Sequence, residues 1–318
     1  MTTNELKKIF PNLETGIKVA PFTTFDIGGR AKFFLNITNK YELVEAVKKA
    51  KANQIPFFVF SGGSNMVFPD VLPDKLIIRY TAKARVGTTV VIEGENIYAE
   101  AGVPLSSLVT TSLKAGLAGL ESLSGIPGTV GGAIFGNAGA YGQTISDHLV
   151  EIEIFDGQEI KWVPASVGAF QYRTSMFKKK PWLVLGGKWQ LAKGNTGELQ
   201  QKSKEIIKTR NKKYAPGIKC PGSYFKNILA DKLSKRVLSQ IPADRIIGGK
   251  VPTGYLLEVA GVKGLKRGKI CVPAHHANLI LNTGGGKASD VLKVAETMKN
   301  KVKDHFGLLI EEEVRTSI

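Results

Sequence analysis

In the first third of the chain the apolar positions switch between helical and strand-like spacing. Leu43, Val47 and Ala50 recur at helical intervals with lysines on the opposite face, and Asn39 followed by Glu42 gives the N-x-x-E pattern of a capping box. The spacing predicts a helix that begins near residue 40. The apolar run PFFVF at 56–60 reads as a buried strand, and it ends in the glycine turn SGGSN at 61–65. Helix, strand and glycine turn make a βαβ-like unit whose loop lies at the carboxyl edge of the strand, where open α/β sheets bind ligands. Strand-like alternation returns at 150–154 and near 182–185, and residues 198–213 read as a basic helix linking into a further domain. A last helix is expected from Ser289 as N-cap through Val291, Ala295, Met298 and Val302, stopped by Gly307. LLIEEEVRTSI at 308–318 reads as a closing strand.

The middle of the chain fits neither period. Nine of the 27 residues from Gly116 to Gly142 are glycine, a density that disfavours a helix by about 1 kcal/mol per glycine against alanine. Close backbone approach to a ligand is a physical reason to keep so many. The fold class that emerges is α+β, with α/β lobes.

Composition narrows the function. The 318 residues suffice for about two domains, or three small ones. With 43% hydrophobic and 22% charged residues the chain buries a real core. No apolar run approaches the roughly 18–20 residues of a membrane span, and the start, MTTNELKKIF, has no apolar signal segment. Two cysteines, Cys220 and Cys271, without a CxxC argue against a disulfide scaffold or a cysteine-built zinc site, and point to a reducing cytoplasm. The four histidines show no metal-binding spacing; adjacent His275 and His276 would face opposite sides of a strand, so no metal is expected. The net charge of +17 calls for an anionic partner: nucleic acid, an acidic membrane surface or a phosphorylated small molecule. Residues 201–250 hold thirteen Lys/Arg against three Asp/Glu, more than half of that excess.

Two familiar nucleotide fingerprints are absent. Gly125, Gly128 and Gly131 follow G-x-x-G-x-x-G rather than G-x-G-x-x-G, and TGGGKAS at 283–289 has Leu281 and Ala288 where a P-loop needs glycine and Ser/Thr. SGGSN nevertheless offers backbone N–H groups and hydroxyls suited to an anion nest, or simply a tight turn. IPGTVGG at 126–132 joins the fixed φ of Pro127 to flexible glycines, and NAGAYG at 137–142 adds the amide of Asn137. Three polar positions are candidates for chemistry: Arg173 beside Tyr172, Ser223 in CPGSYFKN, and Glu313 in EEEVR. Taken singly, each also reads as a surface arginine, a turn serine and a solvated carboxylate. No Gly-x-Ser-x-Gly or Ser-x-x-Lys surrounds Ser223, so a hydrolase nucleophile is not indicated.

Read together, TTFDIGGRA at 23–31, SGGSN at 61–65, GLESLSGIPGTVGGAIFGNAGAYG at 119–142, YRTS at 172–175, GSYFKN at 222–227, HANLILNTG at 276–284 and the final LIEEEVR resemble the UDP-N-acetylenolpyruvoylglucosamine reductase family, in the family's order and over nearly the whole chain. The resemblance implies a two-lobed FAD-binding domain of the PCMH, or vanillyl-alcohol-oxidase, type at 1–84 and 85–200. A C-terminal α+β domain at 201–318 would bind the UDP-sugar, with a terminal strand returning toward the first lobe. The short stretch from Arg173 to Trp189 leaves no room for the tyrosine-bearing loop of one subclass, so the chain resembles the second type. The implied cofactor is non-covalent FAD. Ser61, Gly62, Gly63, Ser64 and Asn65 would hold its diphosphate; Gly125, Ile126, Pro127, Gly128, Thr129, Gly132, Asn137, Gly139, Ala140 and Tyr141 would line the diphosphate and isoalloxazine.

The implied reaction is NADPH-dependent reduction of UDP-N-acetylglucosamine enolpyruvate to UDP-N-acetylmuramate in peptidoglycan precursor synthesis. Hydride passes from flavin N5 to C3 of the enol ether and a proton to C2. Arg173 would stabilise the enolate-like charge, Glu313 would complete the clamp, and Ser223 would be the general acid, polarised by Lys226 or a backbone group. Tyr172, Lys226 and Asn227 would contact substrate. Neither nucleic acid, membrane insertion nor an obligate protein partner is expected. Two other readings are another FAD-dependent oxidase or dehydrogenase on the same scaffold, and a basic nucleic-acid-binding protein. The latter explains the charge but not the glycine blocks, and carries no RNP1, KH or zinc-finger signature. Residues 229–250, with LADKLSKRVLSQ, look longer and more basic than the family's usual connection.

Overall fold

A computed structural model describes residues 2–316. It divides into two compact units. The first holds the described residues up to 17 together with 31–62 and 73–212; the second holds 18–30, 63–72 and the residues from 213 on. The grouping does not follow chain order.

In the first unit, strands β1 (Glu14–Lys18), β2 (Arg30–Ile37), β3 (Phe57–Phe60) and β4 (Leu76–Tyr80) form a sheet in the order β1-β2-β4-β3. β4 runs parallel to both β2 and β3, so β2, the intervening helix and β3 realise the expected βαβ-like unit. That helix, Lys40–Ala52, starts because the Asn39 side chain accepts from the N–H of Tyr41 at 2.8 Å and of Glu42 at 3.4 Å. Its Leu43, Val44, Val47 and Ala50 bury against Phe33, Leu35, Leu76 and Ile78 of the sheet. SGGSN follows β3 at its carboxyl end.

A second sheet of this unit is antiparallel, in the order Ile160–Pro164, Leu149–Phe155, Leu183–Gln190, β6 (Asn96–Glu100) and β5 (Val90–Glu93). It contains both predicted runs, and the second extends to include Trp189. That indole is fully buried and donates to the Ile145 carbonyl at 2.8 Å. The glycine-dense stretch does hold a helix, Val130–Gly136. Thr129 caps it, and Asn137 ends it at φ 46°, ψ 60° in the left-handed region. Its glycines allow close packing: a Cβ on Gly131 would lie 2.7 Å from the Cβ of Ala101. The basic helix is Thr196–Asn211 and belongs to the first unit, where Lys202 pairs with the buried Glu121 at 2.8 Å and Ser203 bonds Ser124 at 2.8 Å.

The second unit has short strand pairs, Ile228–Leu229 with Lys250–Val251 and the three-stranded set Lys266–Arg267, Ile270–Cys271 and Leu281–Asn282, over the helix Ala288–Phe306. The helix buries Val291, Val294, Ala295, Met298, Val302 and Phe306. Gly307 stops it at φ 69°, as expected, but Ser289 is not the N-cap. Lys287 holds that position, and the Asp70 carboxylate accepts from the N–H of Ala288 at 2.7 Å and of Ser289 at 3.0 Å. Within the basic segment 229–250, Val237 and Ile241 bury into the unit's core. His275 lies in a turn and His276 follows it outside any strand, so the expected strand faces do not exist. The closing segment forms no continuous strand over 308–316; it makes isolated bridges from Glu312 to Phe225 and from Arg315 to Met66. Ser317 and Ile318 of the expected strand lie outside the described residues. Among the described residues no helix is long and apolar enough to cross a membrane.

Candidate active site

In the first unit two glycine motifs far apart in sequence meet. A Cβ on Gly62 would stand 3.1 Å from the Cα of Gly128, so the turn after β3 and the IPGTVGG loop approach backbone to backbone. Hydroxyls lock the approach. Thr129 Oγ1 donates to Ser61 Oγ at 2.9 Å, and Ser61 Oγ donates to the Tyr80 carbonyl at 2.5 Å. Thr129 also accepts from the Gly132 N–H at 3.5 Å. The loop is pinned from behind, since the N–H groups of Val130 and Gly131 bond the carbonyls of Val103 and Ala101, and Gly128 O accepts from Leu105 N. Gly125, at φ 75°, packs against the Arg210 side chain of the basic helix, the nearest atom 3.2 Å from a Cβ placed there.

NAGAYG divides into a helix stop and a hairpin. Asn137 donates through Nδ2 to Gln171 O at 3.0 Å and accepts at Oδ1 from Ser146 at 2.9 Å, so its buried amide is a strut to the next motif. Gly139 and Ala140 pair with Thr144 and Gln143, leaving Tyr141 (φ 51°) and Gly142 (φ 84°) at the tip. Tyr172 and Arg173 stand at the centre of a second tight turn, closed by reciprocal 3.1 Å bonds between Gln171 and Thr174. Ser175 ties that turn to the glycine-rich helix, donating to Phe135 O at 2.7 Å. The Arg173 guanidinium lies 5.8 Å from the centre of the Tyr172 ring. Six non-glycine residues among those described have positive φ, and Asn137, Tyr141 and Arg173 are three of them. Strained backbone of this kind costs about 1–3 kcal/mol each and concentrates at functional sites.

In the second unit the central feature is Ser223. Its Oγ is 3.0 Å from Lys213 Nζ and 3.0 Å from the Tyr214 hydroxyl. The ammonium has only protons to give, so Lys213 donates to Oγ. Main-chain bonds hold the segment after the serine: Tyr224 N donates to Asn278 O at 3.0 Å, Glu313 N donates to Tyr224 O at 2.8 Å and Lys226 N to Glu311 O at 2.9 Å. Lys226 Nζ pairs with Glu311 at 2.8 Å and holds that carboxyl below its usual range. The Asn227 side-chain Oδ1 accepts from Thr253 N at 3.2 Å. Of the SGGSN residues assigned to this unit, Gly63 (φ 57°) leaves only 2.5 Å between a would-be Cβ and Phe22 O, and Ser64 O accepts from Thr24 Oγ1 at 3.4 Å. Asn65 donates to Glu313 O at 3.1 Å, joining two candidates through a main-chain carbonyl.

Sequence reasoning missed Lys213, Tyr214, Asn278 and Ser175 as working parts. The lysine sits in a basic run that reads as a solvated face, and ten residues separate it from Ser223 with no periodic relation. The motif HANLILNTG contained Asn278, and YRTS contained Ser175, but neither string says which backbone the side chain holds.

A family model described as an FAD binding domain matches residues 31–160, and one described as the UDP-N-acetylenolpyruvoylglucosamine reductase C-terminal domain matches 213–317. A UDP-N-acetylenolpyruvoylglucosamine reductase of Solibacter usitatus is 37% identical over 308 residues, covering 96% of this chain and 97% of its own. One of Rubrobacter xylanophilus is 34% identical over 317 residues, 99% and 98% of the two chains. The crystal structure of the UDP-N-acetylenolpyruvylglucosamine reductase of Thermus caldophilus superposes with a TM-score of 0.73 at 26% identity, over 95% of this chain and 98% of that one.

Proposed function

The chain belongs to the UDP-N-acetylenolpyruvoylglucosamine reductase family, and from that premise we propose that it reduces UDP-N-acetylglucosamine enolpyruvate to UDP-N-acetylmuramate, with NADPH as reductant and FAD as carrier, in the cytoplasm during peptidoglycan precursor synthesis. The observation that carries the chemistry is the convergence of Lys213 and Tyr214 on Ser223 Oγ, each at 3.0 Å.

The chain's residues suit a diphosphate-bearing cofactor. Glycines at 62 and 128 meet where a Cβ would crowd the opposing backbone, and the Ser61–Thr129 hydroxyl pair stiffens the turn. In our reading Ser61 to Asn65 and Gly125 to Gly132 hold that cofactor, with Asn137 and the Gly139–Tyr141 hairpin bordering it. Bound FAD supplies the hydride, taken from NADPH and given to C3 of the enol ether.

Protein groups do the rest. As C3 gains hydride, charge collects on C2 and the adjoining carboxylate, and Arg173 answers it with a planar two-pronged donor. Ser223 gives its proton to C2. An alcohol is a weak acid, and the Lys213 ammonium stabilises the alkoxide left behind. The Tyr214 hydroxyl, 3.0 Å from the same oxygen, hydrogen-bonds it. Glu313 completes the clamp, and Tyr172, Lys226 and Asn227 contact substrate. The net charge of +17 steers phosphorylated ligands inward.

Purified protein should be yellow. NADPH should bleach the flavin band, and the enolpyruvyl UDP-sugar should restore it. Colourless protein that cannot be reconstituted with FAD, or a bleached band that the sugar leaves unchanged, would sink the reading.

A further inference from the structure

Lys213 and Ser223 stand ten positions apart in one irregular segment, and their side chains meet at 3.0 Å. A second short segment holds both. His275 Nε2 is 3.2 Å from the carbonyl oxygen of Lys213. A carbonyl only accepts, so Nε2 carries the hydrogen and donates. Three residues on, Asn278 grips the segment that follows the serine three times. Its main-chain oxygen accepts from Tyr224 N at 3.0 Å, its Oδ1 accepts from Phe225 N at 2.9 Å, and its Nδ2 donates to Phe225 O at 2.8 Å. Leu279 forms the antiparallel bridge to Ser223 itself. Asn278 is only 2% exposed, and both ends of its amide are spent on one residue's backbone, as a neighbouring strand would do.

Within the segment, His276 Nδ1 accepts from Asn278 N at 3.1 Å, which needs a neutral ring. Burial, reinforced by the charges of Lys213 and His275, pulls the His276 pKa down to about 4. The turn therefore keeps its shape through the neutral range.

We propose that His275 and Asn278 are positioning residues for proton donation: together they set the Lys213–Ser223 separation on which the acidity of Ser223 depends. The proposal rests on the reading of Ser223 as proton donor. A hydrogen bond between a lysine and a serine is sensitive to displacement, and a misplacement approaching 1 Å can cost up to about 10²-fold in rate.

The test uses the full-length holoenzyme and His275→Ala, because His275 is exposed and its loss leaves the core intact. Flavin bleaching by NADPH and reoxidation by the enolpyruvyl UDP-sugar are followed separately by stopped flow. His275→Ala should slow reoxidation about tenfold and leave bleaching within about twofold. His275→Gln, which restores an N–H donor, should recover part of the loss. In a Lys213→Met background His275→Ala should cost nothing further, since it acts through Lys213. Equal slowing of both half-reactions, no slowing of either, or a full additive loss on top of Lys213→Met would overturn the proposal. Wild-type protein that NADPH cannot bleach, or that the sugar cannot reoxidise, would instead overturn the underlying reading. Asn278→Asp keeps the acceptor for Phe225 N and removes the donor to Phe225 O. It should show the same selective loss of reoxidation, and a folded, FAD-loaded Asn278→Asp with unchanged reoxidation would count against its positioning role.

Discussion

The candidate residues of the two units rest on opposite materials. The first works with backbone. Gly62, Gly128 and Gly131 matter for the side chains they lack, and loop 125–132 is held by main-chain bonds to residues 101–105. The second works with side chains. Lys213 and Tyr214 bond one serine, and Asn278 holds the segment that follows it. A backbone cradle suits a large, uniformly charged group that must be held close, because N–H groups cost no side-chain entropy to order. A proton donor needs its acidity tuned, and only a placed charge does that.

The sharpest way to break this contrast is at the serine. Ser223→Ala should slow reoxidation by the enolpyruvyl UDP-sugar by about 10²–10⁴-fold, equivalent to roughly 3–5 kcal/mol, while NADPH bleaches the flavin at nearly the normal rate. If both half-reactions fell together, the serine would be part of the cofactor's setting and the division of labour would vanish.

The cradle makes the opposite demand. Gly131→Ala puts a Cβ 2.7 Å from Ala101 Cβ and 3.1 Å from Ala101 O, the oxygen that the Gly131 N–H already bonds. Overpacking of that sort should cost about 1–3 kcal/mol in denaturant unfolding and weaken FAD retention. Its neighbour is the control. A Cβ at Gly132 meets only Thr129 Oγ1, at 3.6 Å, so Gly132→Ala should be neutral or stabilise by up to about 1 kcal/mol. Equal behaviour of the two would show that glycine density here reflects something other than close approach. Thr129→Val should lie in between, at about 1 kcal/mol, by losing the helix cap and the bond to Ser61 together.

The same contrast explains what the sequence made legible. The Asn39 cap and the apolar period of the last helix are local signals, and each maps to an element the structure contains. The glycine-rich helix at 130–136 was hidden because propensity argues against it. Its stability comes from packing on Ala101 and from caps at Thr129 and Asn137, contacts no short window of sequence holds. Lys213 and Asn278 were hidden for a stronger reason. Their partners at 223 and 225 are fixed by how three segments of one unit align, so a basic run and a polar residue in an apolar motif looked ordinary. Positive φ at Arg173 and Tyr141 left no trace either, since neither residue type favours that region.

Asp70 gives the smallest and most local test. Sequence pattern favours Ser289 as the cap of the last helix, whereas the structure uses a carboxylate 218 residues away in sequence from Ala288. Burial raises the Asp70 pKa, but the N–H groups of Ser289 and Ala288 more than offset it and leave it below the ordinary range. A carboxyl depressed in the folded state contributes stability above its unfolded pKa and loses it as pH falls through the folded value. The contribution is therefore present at neutral pH and fades below about pH 4. Because Asp70 is exposed, solvent screens it, and Asp70→Ala should cost no more than about 1 kcal/mol at pH 7. Asp70→Asn keeps an acceptor without the charge, so its deficit against wild type should be smaller at pH 7, shrink in 1 M salt and diminish as pH falls below about 4. Urea unfolding of the three proteins across that range measures it. A deficit for Asp70→Asn that stayed constant down to pH 3 would mean that the cap works by shape alone, and that even this remote side chain serves the second unit as a backbone group would.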